Sequence, residues 1–274
     1  MPQAGPLIAL FVLLLAGTTC DKHEQNAMRD QLSANQQAAR KKLEDKGVSY
    51  NQDAFYERVK NGDAFTVELF LAAGMNPNTR YEANTTVLMK AAAIGRADLV
   101  ALLIDKGANV NGTDRFGRSA LTFAIQDGAH TDIVRLLLKN GADPNVKLND
   151  GRTPLLFTVD SPDIVRALLE KGADVNVRNL DTGETPLMLA VLAGDIESLK
   201  AILGKKSDVN AKDNRGVTAL MFAANNNKTA IAKLLLEKGA DVNARTNDGD
   251  TALRMAQRQR FSKMIKLLKN AGAT

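Results

Sequence analysis

The chain has 274 residues, 45% hydrophobic and 4% aromatic with no tryptophan, which suits one or two domains that bury small aliphatic surfaces. Its formal charge of +5 is localised: residues 251–274 hold Arg254, Arg258, Arg260, Lys263, Lys266 and Lys269 without an acid, residues 1–20 hold no charge, and subtracting six from five leaves −1 for residues 21–250. A balanced body excludes the chain-wide basic surface that would track nucleic acid, and the single cysteine excludes an internal disulfide.

Residues 7–16, LIALFVLLLA, are apolar but too short to span a bilayer. Gly17, Thr18 and Thr19 follow, and the chain turns polar at Asp21, which is the order of a secretory signal peptide. No Lys or Arg precedes the apolar run. The sequence LLLAGTTC resembles the lipobox of bacterial lipoproteins, which implies lipidation at Cys20 and an exported protein, periplasmic or anchored to the bacterial envelope. Gly17 and Thr19 depart from that pattern, so ordinary signal-peptide cleavage near Cys20 is the alternative. Residues 1–20 are therefore read as a signal segment.

Residues 21–48 read as a polar capping helix with Met28, Leu32 and Leu43 as its sparse apolar contacts. Its end, Lys46-Gly47-Val48-Ser49-Tyr50-Asn51, has the spacing of Lys238-Gly239-Ala240-Asp241-Val242-Asn243. A first helix pair over 53–73 follows, with Phe55, Val59, Val67, Phe70 and Leu71 as core and Asp53 as cap. From Thr86 on, one pattern recurs. Thr86, Ser119, Thr153, Thr185, Thr218 and Thr251 each cap a short helix. A second helix then ends at a glycine, and Asn78, Asn111, Asn145, Asn176, Asn210 and Asn243 close the copies at intervals of 33, 34, 31, 34 and 33 residues.

The third pair has one extra residue near Ala129-His130. The fourth is two residues short, with Ser161 expected to cap and Pro162 to take the first helical position. The fifth has an extra residue in its connecting segment and puts Lys206 where glycine ends the other second helices, so Lys206 is expected to be left-handed.

A two-helix period near 33 with Thr153-Pro154-Leu155, Thr185-Pro186-Leu187 and Gly-Ala-Asp-x-Asn closings resembles the ankyrin-repeat family. The resemblance implies an all-α repeat solenoid of about seven repeats over residues 49–274, each a helix-turn-helix with a finger hairpin. The family's His after Thr-Pro-Leu is absent, and Met89, Thr122, Leu156, Met188, Met221 and Arg254 stand there. Apolar packing is expected to replace its bond to the capping hydroxyl.

No chemistry-bearing motif emerges. His23 and His130 lie far apart, no Cys/His cluster has metal spacing, and no nucleophile elbow or phosphate loop occurs. Asp143, Asp174, Asp208 and Asp241 recur once per copy, which marks them as structural. The chain is therefore expected to be no enzyme and to need no cofactor or metal. It is also expected to bind no small-molecule substrate and no nucleic acid.

The resemblance implies a binding role for the groove lined by fingers and first helices, the partner being another protein. Arg80, Tyr81, Arg115, Phe116, Arg118, Lys147, Arg152, Arg178, Leu180 and Arg215 are the candidate contacts, because aromatic and Arg residues anchor interfaces. Phe116 either anchors a partner or folds onto the neighbouring finger. Phe123, Phe157 and Phe222 share one repeat position and are expected in the core. A scaffold of the bacterial cell envelope is the expected role. An accessory or inhibitory subunit of an envelope enzyme and an effector acting in another cell are the alternatives, and the fold alone does not choose.

Overall fold

The computed structural model describes residues 22–274, with side chains from Arg29 onward. The expected signal segment 1–20 and lipidation at Cys20 lie outside the described residues. Among these, fifteen α-helices, one 3-10 turn at Glu82–Asn84 and no strand occur: one long helix, then seven pairs, the all-α repeat solenoid expected. They are α1 (Lys22–Asp45), α2 (Gln52–Lys60), α3 (Ala64–Ala72), α4 (Val87–Ala93), α5 (Ala97–Asp105), α6 (Ala120–Gln126), α7 (Thr131–Lys139), α8 (Pro154–Phe157), α9 (Pro162–Glu170), α10 (Pro186–Ala193), α11 (Ile196–Leu203), α12 (Ala219–Asn225), α13 (Thr229–Glu237), α14 (Ala252–Arg258) and α15 (Ser262–Asn270). Two compact units result, one reaching Arg58 and including 63–76, the other comprising 59–62 and 77–274.

In the first unit α1 packs on α3 through buried Ala39 and Leu43, with Leu32 half-buried. Gly47 is left-handed at φ 66, and the Val48 N–H donates to the Leu43 carbonyl. That turn also ends the second helices, as where Ala240 donates to Leu235. The Phe70 ring stacks on Tyr50 at 5.8 Å and tilts against Phe55 at 5.4 Å. The Tyr50 hydroxyl donates to the Ala73 carbonyl at 3.0 Å. The cap of α2 differs from expectation. Asn51 Oδ1 accepts from the Ala54 N–H at 2.8 Å, and Asp53 sits in the first turn, where its charge suits the helix dipole.

In the second unit first helices pack on first helices from α4 to α14, and second on second from α5 to α11 and between α13 and α15. Leu103, Leu137, Leu168, Ile202, Leu235 and Leu268 occupy one repeat position and are all 0% exposed. Each of these repeats thus buries its own leucine or isoleucine against its neighbours, and stability accumulates repeat by repeat.

The closing asparagines explain the period. Asn78, Asn111, Asn145, Asn176, Asn210 and Asn243 each donate Nδ2 to a carbonyl of the next repeat: Gly107, Gly141, Gly172, Lys206, Gly239 and Gly272. Each Oδ1 accepts a backbone N–H two residues further on, from Asn109, Asp143, Asp174, Asp208, Asp241 and Thr274. The recurring aspartates hold the turn: Asp143, Asp174, Asp208 and Asp241 accept from the N–H two residues ahead.

The caps correct one expectation. Apolar packing does not simply replace the missing histidine, because methionine sulfur accepts a bond. The N–H of Thr86, Thr185 and Thr218 points at Sδ of Met89, Met188 and Met221 at 3.4, 3.5 and 3.4 Å. Each threonine hydroxyl accepts the methionine N–H in return. The Ser119 N–H uses Thr122 Oγ1. Leu156 and Arg254 have no acceptor to offer; the Thr251 hydroxyl still accepts the Arg254 N–H, but the buried hydroxyl of Thr153 has no partner. A buried unpaired hydroxyl costs about 1–3 kcal/mol. Thr153→Val therefore stabilises the protein, whereas Thr218→Val, which removes a working cap, destabilises it by about 1 kcal/mol. Urea denaturation of both variants checks the opposite signs.

Three irregular places were visible in the sequence, and two differ in detail. Ala129 is left-handed at φ 49 and lengthens the turn of the third repeat, as expected. Pro162 does start α9, but the Ser161 hydroxyl donates to Asp160 Oδ1 instead of capping, and the shortened α8 is a single turn. Lys206 is not left-handed: among the described residues the non-glycine ones with positive φ are Ala83, Asn84, Ala129, Asn227 and Arg260. Helix α11 does not run on either. It stops at Leu203, and Ser207 N–H bonds the nearby Lys205 carbonyl in place of the usual reach back across the turn. The Asn176–Lys206 bond keeps the register, so the finger assignments stand.

Candidate functional site on the fingers

Each finger is a short turn between a closing asparagine and the next cap. In repeats three and six a buried aspartate organises it. Asp114 Oδ1 accepts the N–H groups of Phe116 and Arg118, both at 2.9 Å. Asp213 does the same for Arg215 and Val217. The arginines close on these acids, Arg118 on Asp114 and Arg215 on Asp213.

Adjacent fingers are tied by asparagines four residues past the closing one. Asn149 donates its backbone N–H to Phe116 O at 3.0 Å and its Nδ2 to Arg115 O at 2.9 Å. Asn214 grips Thr182 and Asp181, and Asn247 grips Arg215 and Asn214, in the same way. Between the fourth and fifth fingers this tie is missing. Leu180 stands at that position and lays its side chain over Gly151, although it is 68% exposed.

The candidate residues divide by use. Arg80 donates to Asn84 O and to Thr113 O on the next finger, and Arg178 donates to Lys212 O. Both are struts between repeats, a role that spacing alone did not reveal. Tyr81 is half-buried, and its N–H closes its own finger on Thr85 O. Lys147 is exposed.

Phe116, Arg118 and Arg152 come together. With Gln126, Leu148, Asn149 and Asp150 they line an open hollow of about 420 Å³. The Phe116 ring, 43% exposed, has the guanidinium of Arg115 at 4.6 Å and that of Arg118 at 5.1 Å from its centroid. Arg118 also lies over Phe123 at 4.3 Å, and Arg152 over Phe157 at 4.7 Å. Phe116 therefore neither folds away nor stands free. Its ring is partly covered and makes cation–π contacts with both arginines.

The expectation of three core phenylalanines holds fully only for Phe222, which is 9% exposed. Phe123 and Phe157 are half-buried beneath arginines because the residue before the cap is Arg118 or Arg152 in their repeats and Val217 in the sixth. Arg152 holds Asp150 by Nε at 2.7 Å, and that hydrogen bond draws the Asp150 carboxyl below its ordinary value of 3.8. The pair's contribution is full above that value and is lost as pH falls through the depressed one. The hollow's rim is thus charged across the neutral range. Leu148 and Gln126 were missed from sequence, and Asn149 was placed on its finger without its tying role. The signal for Asn149 was its recurrence as Asn214 and Asn247, each four residues past a closing asparagine.

Among the described residues no His, Cys, Asp and Glu group could hold a metal, and no helix is long and apolar enough to cross a membrane. A family model described as ankyrin repeats (three copies) matches residues 55–148, 130–213 and 187–274. The chain belongs to the ankyrin-repeat family. Its matches in M-phase phosphoprotein 8 of human and of rat are 40% identical over 79 residues, 28% of this chain but only 9% of those proteins. Among solved structures, the ankyrin repeat domain of Bcl-3, a member of the IkappaB protein family, superposes with a TM-score of 0.69 at 27% identity, covering 78% of this chain and 97% of that one. The ankyrin repeat protein EF0377 gives 0.62 at 27%, covering 71% and 100%. The human ASB11 ankyrin repeat domain gives 0.66 at 23% identity, covering 80% and 98%, a likeness of fold. Ankyrin-repeat domains are in general scaffolds for protein–protein interaction, and their fold is typically non-enzymatic.

Proposed function

We propose that this ankyrin-repeat protein binds another protein through the fingers and first-helix face of repeats three and four, centred on the hollow between Phe116 and Arg152. The carrying observation is an exposed aromatic ring in cation–π contact with two guanidiniums at the lip of that hollow. Aromatic and arginine side chains make the strongest interface anchors, and pre-ordering them lowers the entropy lost on binding. Phe116→Ala should weaken partner binding by more than about 1 kcal/mol while leaving the melting temperature nearly unchanged. Photo-crosslinking from position 149 in the source cell supplies the partner, and titration calorimetry compares the variants. Unchanged affinity would remove Phe116 as an anchor.

The same proposal places the protein outside the cytoplasm, as a scaffold of the bacterial envelope. Residues 1–20 direct export, and Cys20 carries the lipid. The apolar run, the small residues after it and the abrupt polar start at Asp21 support this. Labelled palmitate should enter the protein, and Cys20→Ser should release it from membranes. A soluble protein with an unmodified N-terminus would refute the anchoring.

A further inference from the structure

The finger cations are mostly consumed within the fold. Arg118 and Arg152 hold Asp114 and Asp150, Arg215 holds Asp213, and Arg80, Arg178 and Lys212 bond carbonyls of the following finger. Arg245 bonds Gly249 O in its own finger. Arg115 and Lys147 remain, exposed and facing no carboxylate within ion-pair distance. They lie on neighbouring fingers that Asn149 ties together, directly beside the hollow.

Counting repeats three and four, four finger cations stand against two carboxylates, so two positive charges are unspent at this one place. Arg115 is moreover pre-ordered. Its guanidinium lies 4.6 Å from the Phe116 ring centroid, a contact that leaves its charge without a carboxylate to balance it.

The hollow itself offers little polarity. Phe116 and Leu148 supply apolar surface, and the stems of Arg118 and Arg152 add to it while their heads are engaged. No buried charged side chain points into it, and it is open. A small molecule would find few orienting groups there. An extended chain could draw on the rim as well as the floor.

We propose that the occupant is an extended acidic peptide segment that sets one apolar side chain against Phe116 and Leu148 and places carboxylates on Arg115 and Lys147. This rests on the partner-binding reading above and adds the partner's chemistry to it. A nucleic acid fits less well, because two unspent cations are too few for the multiple phosphate contacts that sustain such binding, about 6–10 in strongly salt-dependent cases.

The test is selection of a random dodecapeptide display library on the immobilised full chain, followed by fluorescence anisotropy of the enriched peptides. Enriched sequences should combine Asp or Glu with a Leu, Ile, Phe or Met. Phe116→Ala should weaken them at least tenfold, and so should the double variant Arg115→Glu with Lys147→Glu. Replacing the peptide acids by lysine should abolish binding to the natural protein and restore it to the double variant. Enriched neutral or basic peptides that still depend on Phe116 would overturn the acidic partner while sparing the site. Failure to enrich any peptide, or peptides indifferent to all three substitutions, would overturn both. Equal competition by labelled oligothymidine would overturn the peptide in favour of any polyanion.

Discussion

Replacing Leu168 by alanine is expected to destabilise the protein by about 2–5 kcal/mol and to split its unfolding into two steps. Leu168 is 0% exposed on α9, which packs on α7 and α11 and on the single turn of α8. In a nearest-neighbour array a truncated leucine removes the repeat's own core and weakens both of its interfaces. The fourth repeat has the least to spare. Its first helix has four residues, its cap hydroxyl is unpaired, and its finger lacks the asparagine tie to the fifth. The tyrosines make the split measurable, since Tyr50, Tyr56 and Tyr81 all precede this repeat. Tyrosine fluorescence then follows the N-terminal side alone, while circular dichroism at 222 nm follows every helix. In urea the two curves should separate in Leu168→Ala by more than they do in the unsubstituted protein. The equivalent change at the last repeat, Leu268→Ala, should leave the tyrosine curve where it was. If Leu168→Ala shifts both probes together, the fourth repeat is not the weak link.

The architecture was legible because its causes repeat. A threonine cap, a glycine exit and a closing asparagine each answer a backbone need that returns every turn of the array, and six copies average out local noise. The asparagine bonds show why that residue could mark the register even at Lys206, where the glycine beside it is lost. Single deviations were harder to read. At Lys206 the repeat rule predicted a left-handed residue, but a lysine pays for that backbone with Cβ crowding, so the turn was rebuilt through Lys205 and Ser207 instead. Asp53 and Ser161 were assigned as caps by position. Asn51 stands directly before α2, two residues ahead of Asp53, and takes the cap, and the Ser161 hydroxyl bonds Asp160 instead.

The candidate site was only half legible. Type and position put Phe116, Arg118 and Arg152 near one another, and they do share a hollow. Type alone could not tell a free arginine from a spent one. Arg80, Arg178 and Arg215 look like Arg115 in the sequence, yet Arg80 and Arg178 bond carbonyls that only the fold brings near, and Arg215 is spent on Asp213 two residues before it. The methionines were likewise read as apolar, because a thioether accepts so weakly that only a fixed cap geometry exposes the role.

Gly117 offers the second large effect, and it separates backbone strain from contact between fingers. At φ 80 it occupies a conformation that costs a residue with a Cβ roughly 1–2 kcal/mol. Gly107, at φ 85, carries the same strain but has open space where a Cβ would go. Gly107→Ala should therefore cost about 1 kcal/mol and nothing else. A Cβ on Gly117 would stand 2.8 Å from the Lys147 carbonyl oxygen and 3.1 Å from Leu148 Cα. Those are backbone atoms of the fourth finger and cannot rotate aside, so that finger must move. Moving it pulls Asn149 off Arg115 and Phe116, loses two hydrogen bonds of about 1 kcal/mol each, and spreads the hollow. Gly117→Ala should thus cost about 3 kcal/mol in urea denaturation and weaken any ligand that needs both fingers. Gly107→Ala should leave that affinity unchanged. Equal losses of stability in the two variants would mean that the fingers are not held in the contact that builds the hollow, and Phe116 would then stand alone.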